Sequence, residues 1–167
     1  MTLAASIATA PPTRPSALRA SRGERAVCAL LAAAFLGILA TAAWLRPDAR
    51  GVGTHEALGL SPCGWIAGFG IPCPTCGMTT SFSLAVRGSL WASFRVQPMG
   101  CVLAVVTAAS AVTCLFVAAT GSRIGHVLGA RVTPRVLVAG AALALLAWGY
   151  KVAAMRGAMP FGRCDLP

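Results

Sequence analysis

Residues 98–120 read PMGCVLAVVTAASAVTCLFVAAT, an unbroken run without a single charge, with Pro98 at its start and Gly121-Ser122-Arg123 directly after it. A helix rises 1.5 Å per residue, so a run of about 20 apolar residues crosses about 30 Å of hydrocarbon. Proline at the first turn and glycine past the last are the usual bounds of a helix. The stretch predicts a membrane span over residues 98–120, and two further runs have the same character. Residues 26–45 form an apolar block that ends at Arg46-Pro47, and residues 136–155 form another, opened by Pro134 and carrying Lys151 near its far end. There the lysine stem is expected to snorkel to the headgroups.

Composition agrees. Of 167 residues, 57% are hydrophobic and 11% charged, a surplus of apolar side chains that one soluble domain has no core to absorb. The 14 Lys and Arg against 4 Asp and Glu leave a net charge of +10. These basic residues gather at the ends of the apolar blocks, where lipid phosphates are the expected partners, Arg87 and Arg95 included. No basic stripe interleaved with aromatics is present, so nucleic acid is not an expected partner. The fold class that follows is an all-α integral membrane protein with three transmembrane helices and one or two short interfacial or re-entrant helices.

The predicted organisation is a disordered basic tail over 1–23, one helical membrane domain over 24–157 and a C-terminal tail over 158–167. Arg14, Arg19, Arg22 and Arg25 lead into the first span. Ala40-Thr41-Ala42 has the small-x-small form of a signal cleavage site, but the leader is long, and an uncleaved anchor is the expectation. The arginine-rich leader puts the N-terminus on the cytoplasmic side and the loop between the first two spans outside. Cys28, Cys101 and Cys114 fall inside spans, where cysteine is expected to act as a small apolar residue.

Residues 46–97, between the first two spans, are too many for an idle connector. Residues 78–86 read as a short helix, with Thr79 as a candidate cap and Met78, Phe82, Ala85 and Val86 on one face; Gly88-Ser89 ends it. Leu90, Trp91 and Phe94 mark a second patch. Just before lies the densest chemistry in the chain: Pro62-Cys63-Gly64, then Gly70-Ile71-Pro72-Cys73-Pro74-Thr75-Cys76-Gly77-Met78-Thr79. Two cysteines two residues apart, with proline between them and glycine behind, form a tight turn that aims both sulfurs at one point. Such a turn is half of a thiolate zinc site. Cys63 offers a third ligand, and His55 or Cys164 a fourth. The same turn suits thiol redox exchange, with Cys76 at a helix N-terminus, and Cys63, Cys73, Cys76 and Cys164 are also an even set for disulfides. Gly77 after Cys76, where a histidine would be needed, excludes c-type haem attachment.

The segment Pro72-Cys73-Pro74-Thr75-Cys76-Gly77-Met78-Thr79-Thr80-Ser81-Phe82 resembles the signature of a bacterial membrane family catalogued as domain of unknown function 2752. Gly53-Thr54-His55-Glu56-Ala57-Leu58-Gly59-Leu60 upstream, and Arg87-Gly88, Ala92-Ser93-Phe94-Arg95 and Gln97-Pro98 downstream, extend the likeness across 53–100. Many members carry arginine where this chain has Thr80, so a role for that arginine does not transfer. The resemblance implies a small multi-helix membrane protein with three motif cysteines and supplies no activity.

Asp48 and Glu56, the two acids of the loop, make a poor acid–base pair and are expected to be solvated, and no Ser-His-Asp or Cys-His-Asn grouping accompanies the cysteines. The expected function is therefore a non-enzymatic or accessory role in the bacterial inner membrane, with the loop stapled through zinc at Cys63, Cys73 and Cys76 and with a membrane or periplasmic protein as partner. The alternative is a membrane thiol-disulfide oxidoreductase using Cys73 and Cys76. A small transporter component is a further alternative, disfavoured by spans that lack paired ionisable residues.

Overall fold

The computed structural model describes residues 19–122 and 133–157. Among them the structure is all-helical: α1 (Arg22–Trp44), a short 3-10 helix (Thr54–Leu58), α2 (Gly64–Phe69), α3 (Met78–Ala85), α4 (Leu90–Val96), α5 (Pro98–Thr120) and α6 (Pro134–Met155). Three of these, α1, α5 and α6, are long and apolar enough to cross a membrane, with mean hydropathy of 2.4, 2.4 and 1.8. Val102, Val105, Val112, Leu137, Leu145 and Leu146 are among the many large apolar side chains these helices leave exposed, as a lipid solvent requires.

α1 begins four residues earlier than expected, because Ser21 and Glu24 form a reciprocal capping box that draws Arg22 and Gly23 into the helix. α1 and α5 make the principal helix pair. Their buried positions are small apart from Val117, Ala32 and Ala42 on one and Gly100, Cys101, Ala104 and Ala111 on the other, which lets the backbones approach where lipid offers no hydrophobic drive.

Two arginines correct the lipid-phosphate expectation at their positions. Arg25 donates to the carbonyls of Ala118 and Ala119 at 2.9 and 3.2 Å, capping the end of α5. Arg87 donates to those of Ala43 and Leu45 at 2.8 and 2.7 Å, capping the end of α1. Each guanidinium meets the negative end of a helix dipole and satisfies carbonyls that have no partner within their own helix.

The short helices gather at the end of the bundle where α1 stops and α5 starts. α3 faces the opposite way from its expected apolar side: Thr80, Ser81, Ser83 and Leu84 are buried, while Met78 and Phe82 are only half-buried. At membrane depth, apolar side chains lose nothing by facing outward, whereas hydroxyls must find partners inside. Ser81 and Ser93 pair at 2.7 Å, Ser81 also donates to the Gln97 carbonyl, and Ser93 donates to the Ser81 carbonyl at 2.8 Å. Gly100 has no room for a Cβ, which would lie 2.8 Å from that of Ser81. This knot fixes α3 against α4 and the first turn of α5.

Candidate metal centre

The turn Cys73-Pro74-Thr75-Cys76 closes through a hydrogen bond from the Cys76 amide to the Cys73 carbonyl at 3.0 Å. Pro74 occupies the second position of the turn, where its fixed φ suits the geometry. Gly77 follows with φ +84° and is the N-cap of α3, so Thr79 does not cap that helix. A Cβ on Gly77 would come within 2.7 Å of the Gly51 carbonyl oxygen, and glycine is therefore required here by both conformation and space. Cys63 is the N-cap of α2. It reaches the turn from the other side.

The three sulfurs, Cys63, Cys73 and Cys76, lie within 4.8 Å of one another, with Cys73 and Cys76 3.5 Å apart. Thiolates about 2.3 Å from a tetrahedral zinc stand about 3.8 Å from each other, so the trio already approximates one face of such a site. The cluster can hold a metal ion. All three line a cleft of about 330 Å³, together with His55, Thr75, Thr79 and Thr80.

Burial raises the Cys63 thiol, but the Ile66 amide, the Cys76 thiol and the Cys73 and Trp65 amides outweigh it and bring the pKa down to about 6. Burial first, and then the neighbouring sulfurs of Cys63 and Cys73, push Cys76 up to about 12. Between these two thiols, without a metal, negative charge therefore favours Cys63 over Cys76.

His55, expected as a candidate fourth ligand, is on the cleft wall but not among the converging ligand atoms. Its Nε2 lies 3.2 Å from the Ser61 carbonyl oxygen. Cys164, the other candidate, lies outside the described residues. Asp48 and Glu56 are not merely solvated: Arg50 bridges them at 2.8 and 3.2 Å, and the hydrogen bond from Arg50 holds the Asp48 carboxyl below its ordinary range. The Asp48 amide donates to the Thr54 hydroxyl, which pairs with Thr80 at 2.7 Å and so ties this loop to α3.

The positions that sequence reasoning missed are on α6. Lys151 is 3% exposed and points inward, donating to the carbonyls of Gly51 and Val96, both at 3.1 Å, which corrects the snorkelling expectation. Trp148 donates to the Pro72 carbonyl at 2.9 Å, and Gln97 to that of Pro74 at 3.1 Å, so both sides of the cysteine turn are held from below. A lysine inside the apolar run of 136–155, which holds no other charge, is the signal that could have found them.

Fold and site together define a small helical membrane protein with a three-thiol centre at one end of its bundle. Residues 56–111, a third of the chain, match the family described as protein of unknown function (DUF2752). The match takes in all three cysteines, α2 to α4 and the first half of α5, and leaves out α1 and α6. No curated protein and no solved structure matches the chain.

Proposed function

We propose that Cys63, Cys73 and Cys76 bind a zinc ion whose role is structural, stapling the 46–97 loop onto the spanning helices of a non-enzymatic, accessory membrane protein. The observation that carries this reading is the convergence of three sulfurs from two separate loop segments on one cleft. Soft thiolates select zinc over the hard cations, and the ion cross-links residues that are ten positions apart or more in sequence, Cys63 to the Cys73–Cys76 turn. His55 is the candidate fourth ligand within reach of the cleft wall, and Cys164 the candidate from the tail. In this reading the protein belongs to a bacterial inner membrane, N-terminus inside, with its cysteine face turned to a periplasmic or membrane-embedded protein partner.

Purification in detergent without chelator, followed by metal analysis and thiol counting, tests the reading. It expects zinc at one ion per chain and three thiols that become reactive only when a chelator removes it. Metal-free protein with a Cys73–Cys76 disulfide would overturn it.

That second outcome belongs to the rival reading, favoured by the 3.5 Å approach of Cys73 and Cys76. There the two thiols would release two protons and two electrons, form the S–S bond, and reduce a partner's disulfide to a dithiol. A mixed disulfide trapped by Cys76→Ser would be its signature.

A further inference from the structure

Two hydrogen bonds fix the antiparallel register of α1 and α5 at one end of the bundle. The Ala20 amide donates to the Gly121 carbonyl at 2.7 Å, and Arg25 to that of Ala118 at 2.9 Å. Each step up α1 is then matched by one step back along α5. The buried residues agree with this register, which sets Ala32 level with Ala111 and Ala42 level with Cys101. Cys28, three residues beyond Arg25, falls level with Cys114, four residues before Ala118. The thiols of Cys28 and Cys114 are near enough to act on each other across the helix pair. Both are half-buried and free of any disulfide.

This pair stands apart from Cys63, Cys73 and Cys76. Cys28 is six residues after Arg22 and Cys114 six before Thr120, so the pair lies about 9 Å inside the helix ends that face away from the short helices. Neither residue is in the matched family segment. Cys101, the third cysteine of the spans, donates instead to the Leu90 carbonyl at 3.6 Å.

Two sulfurs between apolar helices suit few ions. A structural zinc wants four ligands and the hard cations want oxygen, whereas thiolate sulfur selects copper(I), a soft ion that two sulfurs in line can satisfy. As each sulfur–copper bond forms the thiol gives up its proton, and no electron moves. Two thiolates on a monovalent ion leave one negative charge. Arg25 precedes Cys28 by one turn of α1, and its guanidinium is held by carbonyls one turn beyond Cys114 on α5, so a fixed positive charge borders the level of the pair. We infer that Cys28 and Cys114 form a second metal site, a two-sulfur site for copper(I) between the first two spans. The inference is independent of the zinc reading above, with which it shares no residue.

The test is a titration of the full chain in detergent with copper(I), under reducing conditions and in competition with a chromophoric copper(I) chelator. The natural chain is compared with Cys28→Ala, Cys114→Ala and Cys101→Ala, so the differences report the pair whatever the cysteine centre holds. Each of the first two variants is expected to take up one copper ion fewer per chain, and Cys101→Ala as much as the natural protein. Cys28→Ser and Cys114→Ser, which keep the volume and lose the soft ligand, are expected to show the same loss. Helix content and elution volume report folding alongside.

Equal copper uptake by the natural chain and by the Cys28 and Cys114 variants would overturn the inference. So would a loss confined to one of the two positions, or an equal loss in Cys101→Ala, which would mark a general disturbance of the helix pair. A Cys28–Cys114 disulfide in the purified chain that, once reduced, takes up no copper would overturn it in favour of a covalent staple. If neither alanine nor serine at these positions allows folding, the cysteines are packing residues and the inference fails. Zinc analysis of the same samples tests the reading above separately, since neither Cys28 nor Cys114 belongs to that centre.

Discussion

Along α1 and α5 the residues shielded from solvent are alanine, glycine, cysteine and valine, while between those helices, in 46–97, they are threonine, serine and glutamine as often as apolar. The spans turn their largest side chains outward and keep small ones for the helix contact. The loop does the reverse of a soluble interfacial helix, folding its hydroxyls inward and leaving Trp65, Phe69, Trp91 and Phe94 exposed. Both follow from one solvent. Lipid gives apolar groups no reason to hide, and leaves polar groups nowhere to go but toward one another. In such a protein, positions that cannot be changed concentrate where polar atoms and backbone are crowded, which is around the cysteine turn.

This contrast is broken or sharpened by substitutions on its two sides. The largest effect is expected at Gly77→Ala, which combines a left-handed φ with a backbone oxygen at 2.7 Å. The strain costs about 1–3 kcal/mol or more, and the expected outcome is loss of zinc together with a clear drop in detergent melting temperature. An alanine variant that melts and binds as the natural protein does would refute the tight approach of Gly51. Next in size is Ser81→Ala, which deprives the α3–α4–α5 knot of its centre and is expected to cost about 1–3 kcal/mol in a chemical-denaturation or thermal assay. Smaller again is Val112→Ala on the exposed face of α5, where the side chain is 69% exposed and the change is expected to stay within about 0.5 kcal/mol. If Val112 proved as sensitive as Ser81, the division between lipid-facing span and polar loop would be wrong.

Within the site the thiol order supplies a further check. With its pKa lowered to about 6, Cys63 is thiolate at neutral pH, whereas Cys76, raised to about 12, keeps its proton. In metal-free protein at pH 7, peptide mapping after brief alkylation is expected to find Cys63 modified well before Cys76. The Cys63 rate is expected to hold level as pH falls toward about 6 and to decline below it, whereas the Cys76 rate falls throughout the range below about 12. Faster labelling of Cys76 would reverse the charge order described for Cys63 and Cys76.

Much of this is legible in the amino-acid sequence, for identifiable reasons. The three spans are long apolar runs, interrupted only by Lys151 in the third, and hydrocarbon thickness leaves little freedom in reading them. The Cys73–Cys76 turn is legible because proline and glycine constrain it locally, and Cys63 because it stands alone among the nearby loop residues as a further sulfur. What escapes a reading of the sequence is everything set by partners distant along the chain. Arg87 caps a helix that ends some 40 residues earlier, and Arg25 one that ends over 90 residues later. The inward face of α3 is misread because periodicity identifies an apolar side without saying which solvent it meets. Lys151 is recognisable as near its helix end, but its direction depends on carbonyls 100 and 55 positions away. His55 reaches the cleft wall without joining the sulfurs, since its ring leans on Ser61.

X-ray absorption at the zinc edge of the chelator-free protein tests the central claim most directly. The account predicts a first shell with three sulfurs at about 2.3 Å and one lighter or sulfur ligand. A zinc-free protein, or a zinc shell made only of oxygen and nitrogen, would contradict it.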